Sequence, residues 1–122
     1  MSNDVEKPVV WIGTSHGDWL EFPDDVQDVM GYSLHLAQMG MKAGNVKPLK
    51  GFKGASVLEI VDNYNTDTYR AVYTVKFEDA IYVLHAFQKK SKKGISTPKT
   101  DMKMIEQRLM KAREEHEQRT KK

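Results

Sequence analysis

Apolar positions recur along this chain with two different periods, and the changes of period mark its elements. Val9-Val10-Trp11-Ile12 is a short apolar run closed by Gly13, the pattern of a buried strand. Thr14 to Asp18 offers several helix caps, and a helical turn over 18–22 is stopped by Pro23. Proline suits a first helical position, and Asp24 and Asp25 in the first turn favour the positive end of the helix dipole. Val26, Met30, Leu34 and Ala37 then form one apolar stripe, which predicts a helix ending near Met39, before Gly40. Gly31 lies inside it, and a close helix contact is one reason for a glycine there.

From residue 45 to 55 the pattern is that of a loop carrying Lys47, Lys50 and Lys53. The period then becomes that of β structure. Residues 56–61 and 69–77 read as strands, separated by the turn-forming Asn63-Tyr64-Asn65-Thr66-Asp67. Glu78-Asp79 reads as a tight turn, and 80–88, apolar on both faces, as a central strand. Thr97-Pro98 opens a last helix with the stripe Met102, Ile105, Leu109 and Ala112, expected to fray beyond Glu114.

The order strand, helices, three antiparallel strands, helix predicts an α+β domain. The expected form is a small antiparallel or mixed sheet, with the N-terminal helices and the C-terminal helix packed on one face. Its length of 122 residues is that of a single domain, 1–122, with 1–7 and about 115–122 expected to be flexible.

Composition narrows the chemistry. There is no cysteine, so disulfides, thiolate metal sites and cysteine nucleophiles are excluded, which fits a cytoplasmic location. The acidic start lacks the pattern of a secretory signal, and no apolar run approaches the roughly 20 residues of a membrane span. The net charge of +2 hides an asymmetry: residues 1–31 net −6 and residues 32–122 net +8. A dipolar layout of this kind favours a polyanionic partner on one side. His16, His35, His85 and His116 are scattered, with no metal-ligand spacing, Gly-rich phosphate loop or nucleophile elbow, so neither metal nor cofactor is expected.

The chemistry that remains is basic and aromatic. Lys89, Lys90, Lys92 and Lys93 follow the central strand with no acid between them, and Lys47, Lys50 and Lys53 make a second cluster. Such clusters neutralise phosphate, and the rings of Phe87, Tyr73 and Tyr82 offer stacking surfaces for single-stranded RNA. Arg70, inside a strand, has two equal alternatives: a bidentate phosphate ligand, or a cross-strand partner of Glu59 or Asp62. His85, in alternation with Ile81, Val83 and Phe87, reads as a near-core histidine bonded to backbone, with acid–base work the lesser alternative. Trp11 and Trp19 read as core anchors, and Lys111, Arg113 and Arg119 as a solvated helix face.

Several of these segments together resemble a known family. Tyr69-Arg70-Ala71-Val72-Tyr73, the run Ile81-Tyr82-Val83-Leu84-His85-Ala86-Phe87-Gln88-Lys89-Lys90-Ser91, Thr97-Pro98 and the helix to Arg108-Leu109 are similar to the HigB-like, phage-derived branch of the RelE/ParE toxin superfamily. Phe22-Pro23, Gly31-Tyr32 and Lys47-Pro48-Leu49-Lys50-Gly51-Phe52 fit the same branch, and the resemblance spans roughly 8–112. It implies a RelE-like fold and the toxin of a type II toxin–antitoxin system, neutralised by a helix-turn-helix antitoxin encoded in an adjacent gene. It further implies metal-independent cleavage of mRNA on the ribosome, with the RNA 2′-hydroxyl as nucleophile.

Carried onto this chain, Arg70 stabilises the phosphate and Lys89 and Lys90 orient or protonate it. Lys50 and Lys53 hold RNA, Lys53 being a candidate general base, with Lys47, Lys92 and Lys93 as further RNA contacts and Phe87 or Tyr73 as the stacking ring. A lysine base needs neighbouring positive charge to lower its ordinary pKa of about 10.4. One departure stands out: the family's Glu-Leu-Arg in the first meander strand is Glu59-Ile60-Val61 here. The missing arginine keeps a second alternative open, a non-catalytic member of the fold that acts by binding, as gyrase poisons do, or through RNA affinity alone.

Overall fold

The computed structural model describes residues 6–52, 56–89 and 97–121. Among these, β1 (Val9–Trp11), α1 (Ser15–Leu20), α2 (Asp24–Gln38), β2 (Val46–Pro48), β3 (Val57–Tyr64), β4 (Asp67–Thr74), β5 (Ile81–Lys89) and α3 (Lys99–Thr120) follow one another. The strands form one mixed sheet in the order β1-β5-β4-β3-β2, with β1 parallel to β5 and the other pairs antiparallel. The fold is α+β, as the sequence pattern predicts.

The helices differ from expectation in one respect: they cover both faces of the sheet. On one side the α2 stripe Val26, Met30, Leu34 and Ala37 packs with Leu58, Ile60, Tyr69, Ala71, Tyr73, Ile81 and Val83. On the other, Ile105 and Ala112 of α3 pack with Val57, Val72, Tyr82 and Leu84. The strand alternation accounts for this, because β4 and β5 are apolar at consecutive positions and must be covered twice. Each large side chain removed from water here contributes about 1.5–3 kcal/mol. Trp11 and Trp19 pack half-buried against the α2-side core.

Three local expectations are corrected. The 45–55 segment contains β2, which pairs with β3 from Val46↔Ile60 to Pro48↔Leu58. A Cβ on Gly31 would meet nothing within 4 Å, so no close packing demands that glycine. Helix α3 does not fray at Glu114 but continues to Thr120. Asp79, in the β4–β5 connection, holds its end by accepting hydrogen bonds from His116 Nδ1 (2.7 Å) and Arg119 Nε (2.9 Å). Lys111, Arg113 and Arg119 are exposed, as expected of a solvated helix face, with Arg113 5.6 Å over the Phe77 ring. The β3–β4 hairpin turns on Asn65 and Thr66, both at positive φ (50° and 69°), as a two-residue hairpin of this twist requires.

Candidate functional site

The α3 side of the sheet carries a band of polar side chains, and a β-bulge places one of them. Val72 pairs with His85 while Tyr73 pairs with Val83, so Leu84 is an extra residue in β5. Simple alternation would put His85 with Ile81 and Val83 on the α2 side. The bulge instead sets it opposite Val72 on the α3 side, which corrects the sequence expectation.

Helix α3 meets that histidine with two residues two turns apart. His85 Nε2 lies 2.6 Å from Asp101 Oδ1, and Arg108 Nη1 lies 3.3 Å from His85 Nδ1. A guanidinium has no acceptor, so Nδ1 presents its lone pair and Nε2 carries the proton toward Asp101. Arg108 also donates to Leu84 O (3.0 Å), the carbonyl at the bulge, and to Thr14 Oγ1 (3.0 Å). Its guanidinium fills the space beside Gly13, where a Cβ would lie 2.7 Å from Arg108 Nε. Phe87 stacks on the His85 ring at 4.9 Å and 21°.

Toward the β2 edge of the same face, Arg70 Nη1 donates to Glu59 Oε1 at 2.7 Å, with both side chains 5% exposed. This decides the open alternative: Arg70 is the buried cross-strand partner of Glu59, not an outward-facing cation. Its Nε is buried without a protein partner among the described residues. Lys47 Nζ, on β2, lies 3.9 Å from the second oxygen of Glu59. The Glu59 carboxylate thereby reaches a cleft of about 370 Å³, walled by Lys47, Lys50, Thr97 and Met102. Thr97 Oγ1 at this wall is also buried without a partner among the described residues.

The structure therefore brings Lys47 and Lys50 together at one cleft, with Arg70 behind it. Phe87 is half-buried and pairs in register with Arg70, and Lys89 lies one rung pair further along the same face, opposite Thr68. Tyr73 is excluded as a stacking ring. It is 1% exposed in the α2-side core, and burial pushes its hydroxyl up to about 12. Tyr82 is likewise fully buried. Lys53, Lys90, Lys92 and Lys93 lie outside the described residues.

Sequence reasoning missed Asp101 and Arg108 as partners of His85, and Glu59 as a cleft wall. A signal for the first two was present: residues 101, 105, 108 and 112 fall on one helical stripe, and the stripe is apolar only at 105 and 112. Among the described residues, no group of histidine and acidic side chains could hold a metal ion, and no helix is long and apolar enough to cross a membrane.

No curated protein matches the chain. Among solved structures it is similar to a chain of the toxin–antitoxin complex RelBE2 from Mycobacterium tuberculosis, at 16% identity and a TM-score of 0.46, over 75% of this chain and 100% of that one. A family model described as phage-derived protein Gp49-like matches residues 17–110, which include α2, the strands β2 to β5 with the bulge, and α3 as far as Met110. The chain belongs to this Gp49-like phage-derived family, a RelE/ParE-type toxin family.

Proposed function

We propose that the chain is the toxin of a type II toxin–antitoxin pair and acts as a metal-independent, ribosome-dependent mRNA endoribonuclease in the cytoplasm. Family membership carries the toxin role. One observation supports the chemistry: a cleft walled by Lys47 and Lys50, with the Glu59–Arg70 pair behind it. Cleavage by the RNA 2′-hydroxyl requires a group to take that proton, positive charge around the crowded phosphate, and a donor to the leaving 5′-oxygen. Glu59, whose carboxylate reaches the cleft, and Lys53, which follows Lys50 in sequence, are the candidates for the first task. Lys47, Lys50 and the Arg70 charge serve the second. Lys89 and Lys90 are assigned the third, with Lys92 and Lys93 gripping the strand and Phe87 offering a ring edge. The partner is a helix-turn-helix antitoxin from the adjacent gene.

A second reading is a toxin that binds without cleaving. It is favoured by the Arg70 charge being engaged by Glu59 and by valine standing at position 61. One experiment separates the two. The protein is induced without its neighbouring gene, and mRNA ends are mapped. New ends within translated messages, lost in Lys50→Ala, are expected; growth arrest without new ends leaves only the binding mode.

A further inference from the structure

The acidic N-terminal third is unused by the cleft. From Pro8 to Met41 the chain carries Asp18, Glu21, Asp24, Asp25 and Asp28 and no lysine or arginine. One of these acids, Asp28, lines an open groove of about 570 Å³ between α2 and the β2–β3 edge, on the sheet face opposite the cleft. Val29 and Tyr32, one turn apart on α2, line it while 40% and 62% exposed. Asp28 and Asp62 flank them.

The groove is built in the free chain. Ser33 Oγ lies 2.9 Å from Asn45 Oδ1, joining α2 to the segment before β2, and Val61 N donates to Asn45 O at 3.0 Å. Beyond that bond, β3 runs on through Asp62 with β4 on one side and, among the described residues, no strand along its other edge. Burial raises the Asp62 carboxyl above its ordinary value, so the group gains from a cation brought against it.

We propose that this groove is the docking site for the antitoxin, and that it takes a segment whose apolar side chains seat against Val29 and Tyr32 while lysine or arginine side chains meet Asp28 and Asp62. The inference rests on the toxin–antitoxin reading. Charge decides the class of occupant: the two carboxylates on the groove, with Asp24 and Asp25 on the same helix α2, repel RNA, whereas a cationic protein segment is attracted. A tyrosine that is large, exposed and flanked by polar groups is the type of residue on which binding energy concentrates. The acidic groove and the basic cleft lie on opposite faces, so an occupant of the groove leaves the cleft accessible to solvent.

The test uses the full chain and the protein encoded by the adjacent gene, co-expressed and then titrated. Tyr32→Ala and the double variant Asp28→Lys/Asp62→Lys are each expected to weaken binding at least about ten-fold. Wild-type binding should fall with added salt more steeply than that of Asp28→Asn/Asp62→Asn, and Lys50→Ala should bind as wild type does. Thermal melts of each variant confirm that it is folded. Failure of wild-type protein to bind the neighbour overturns the pairing, and the docking site with it. Wild-type binding that all groove variants leave unchanged overturns the docking site alone. Tighter binding by the charge-reversed variant overturns the cationic assignment. Self-association of the chain abolished by Tyr32→Ala assigns the groove to a second copy and overturns the antitoxin as occupant.

Discussion

Arg70 donates a 2.7 Å hydrogen bond to Glu59 with both side chains 5% exposed, so neither charge is compensated by water. Removing Glu59 leaves the Arg70 charge buried and alone, at a cost of about 3–5 kcal/mol, whereas removing Arg70 leaves Glu59 with Lys47 at 3.9 Å. Glu59→Ala is expected to lower stability by this order and Arg70→Ala by less, whereas the double variant Arg70→Met/Glu59→Leu recovers most of the loss. Urea denaturation of the three proteins measures the coupling directly. If the two single losses simply add in a double alanine variant, the pair contributes nothing as a pair. Loss of toxicity in Arg70→Ala is therefore evidence about catalysis only under conditions where that variant remains folded.

The His85 ring is oriented by Asp101 on one nitrogen and Arg108 on the other. Gly13→Ala places a methyl 2.7 Å from Arg108 Nε, at a residue whose φ of +60° already disfavours a side chain. The guanidinium must shift, which loosens its bonds to Leu84 O and His85 Nδ1 together. The expected cost reaches about 1–3 kcal/mol only for a group the shifted guanidinium leaves unpaired. Imidazole nitrogen NMR should show the Nε2–H tautomer in the wild type, with mixed tautomers in Gly13→Ala and Arg108→Ala. A wild-type spectrum with the proton on Nδ1 would refute the arrangement.

Asp79 fastens the end of α3 to the sheet. Burial pushes its carboxyl up, but hydrogen bonds from Tyr82, His116 and Arg119 outweigh this and bring it below the ordinary 3.8. A carboxylate with a lowered folded-state pKa stabilises above its unfolded value and loses that contribution as the pH falls through its folded value. Wild type and Asp79→Asn should therefore differ by a constant amount, about 2 kcal/mol, at neutral pH. The difference should shrink below about pH 3.8. Asp79→Asn should also lose helical circular dichroism from the turns beyond Arg113. Equal helicity and parallel pH–stability curves would show that the clamp is idle.

Periodicity suffices where one face of one element decides the outcome. The stripe Val26, Met30, Leu34 and Ala37 is fully buried, and α2 stops within a residue of the predicted end. What the sequence hides is set by contacts between distant segments. The bulge at Leu84 leaves no local trace, because one extra residue changes only the pairing with β4. The end of α3 reads as a charged tail because its anchor, Asp79, lies 37 residues before His116. Strand β2 is hidden because three residues, Val46-Lys47-Pro48, carry too little apolar pattern to register. The site was half legible for the same reason. Lys47 and Lys50 stand out by type, but whether Arg70 and Tyr73 face the cleft depends on which sheet face each occupies, and the α3 face is fixed only once both helices have docked.

The last prediction turns on Val61, where the family resemblance calls for arginine. Val61 pairs in register with Arg70 and lies two residues from Glu59 on the same sheet face. An arginine there would stand directly opposite a like charge, which costs roughly 0.2–1 kcal/mol across a strand pair. Glu59 already neutralises Arg70, so Val61→Arg is expected to fold, with stability lowered by no more than about 1 kcal/mol. The added guanidinium would be free of a buried partner and close enough to the cleft to meet a phosphate bidentately. If the cleft cleaves RNA, Val61→Arg should raise the single-turnover rate on ribosome-bound message at least about ten-fold, since a donor aimed at developing phosphate charge contributes this much or more. Val61→Lys should give a smaller gain, because an ammonium cannot form the paired bonds. A folded Val61→Arg protein with an unchanged rate would mean that position 61 does not face the reacting phosphate.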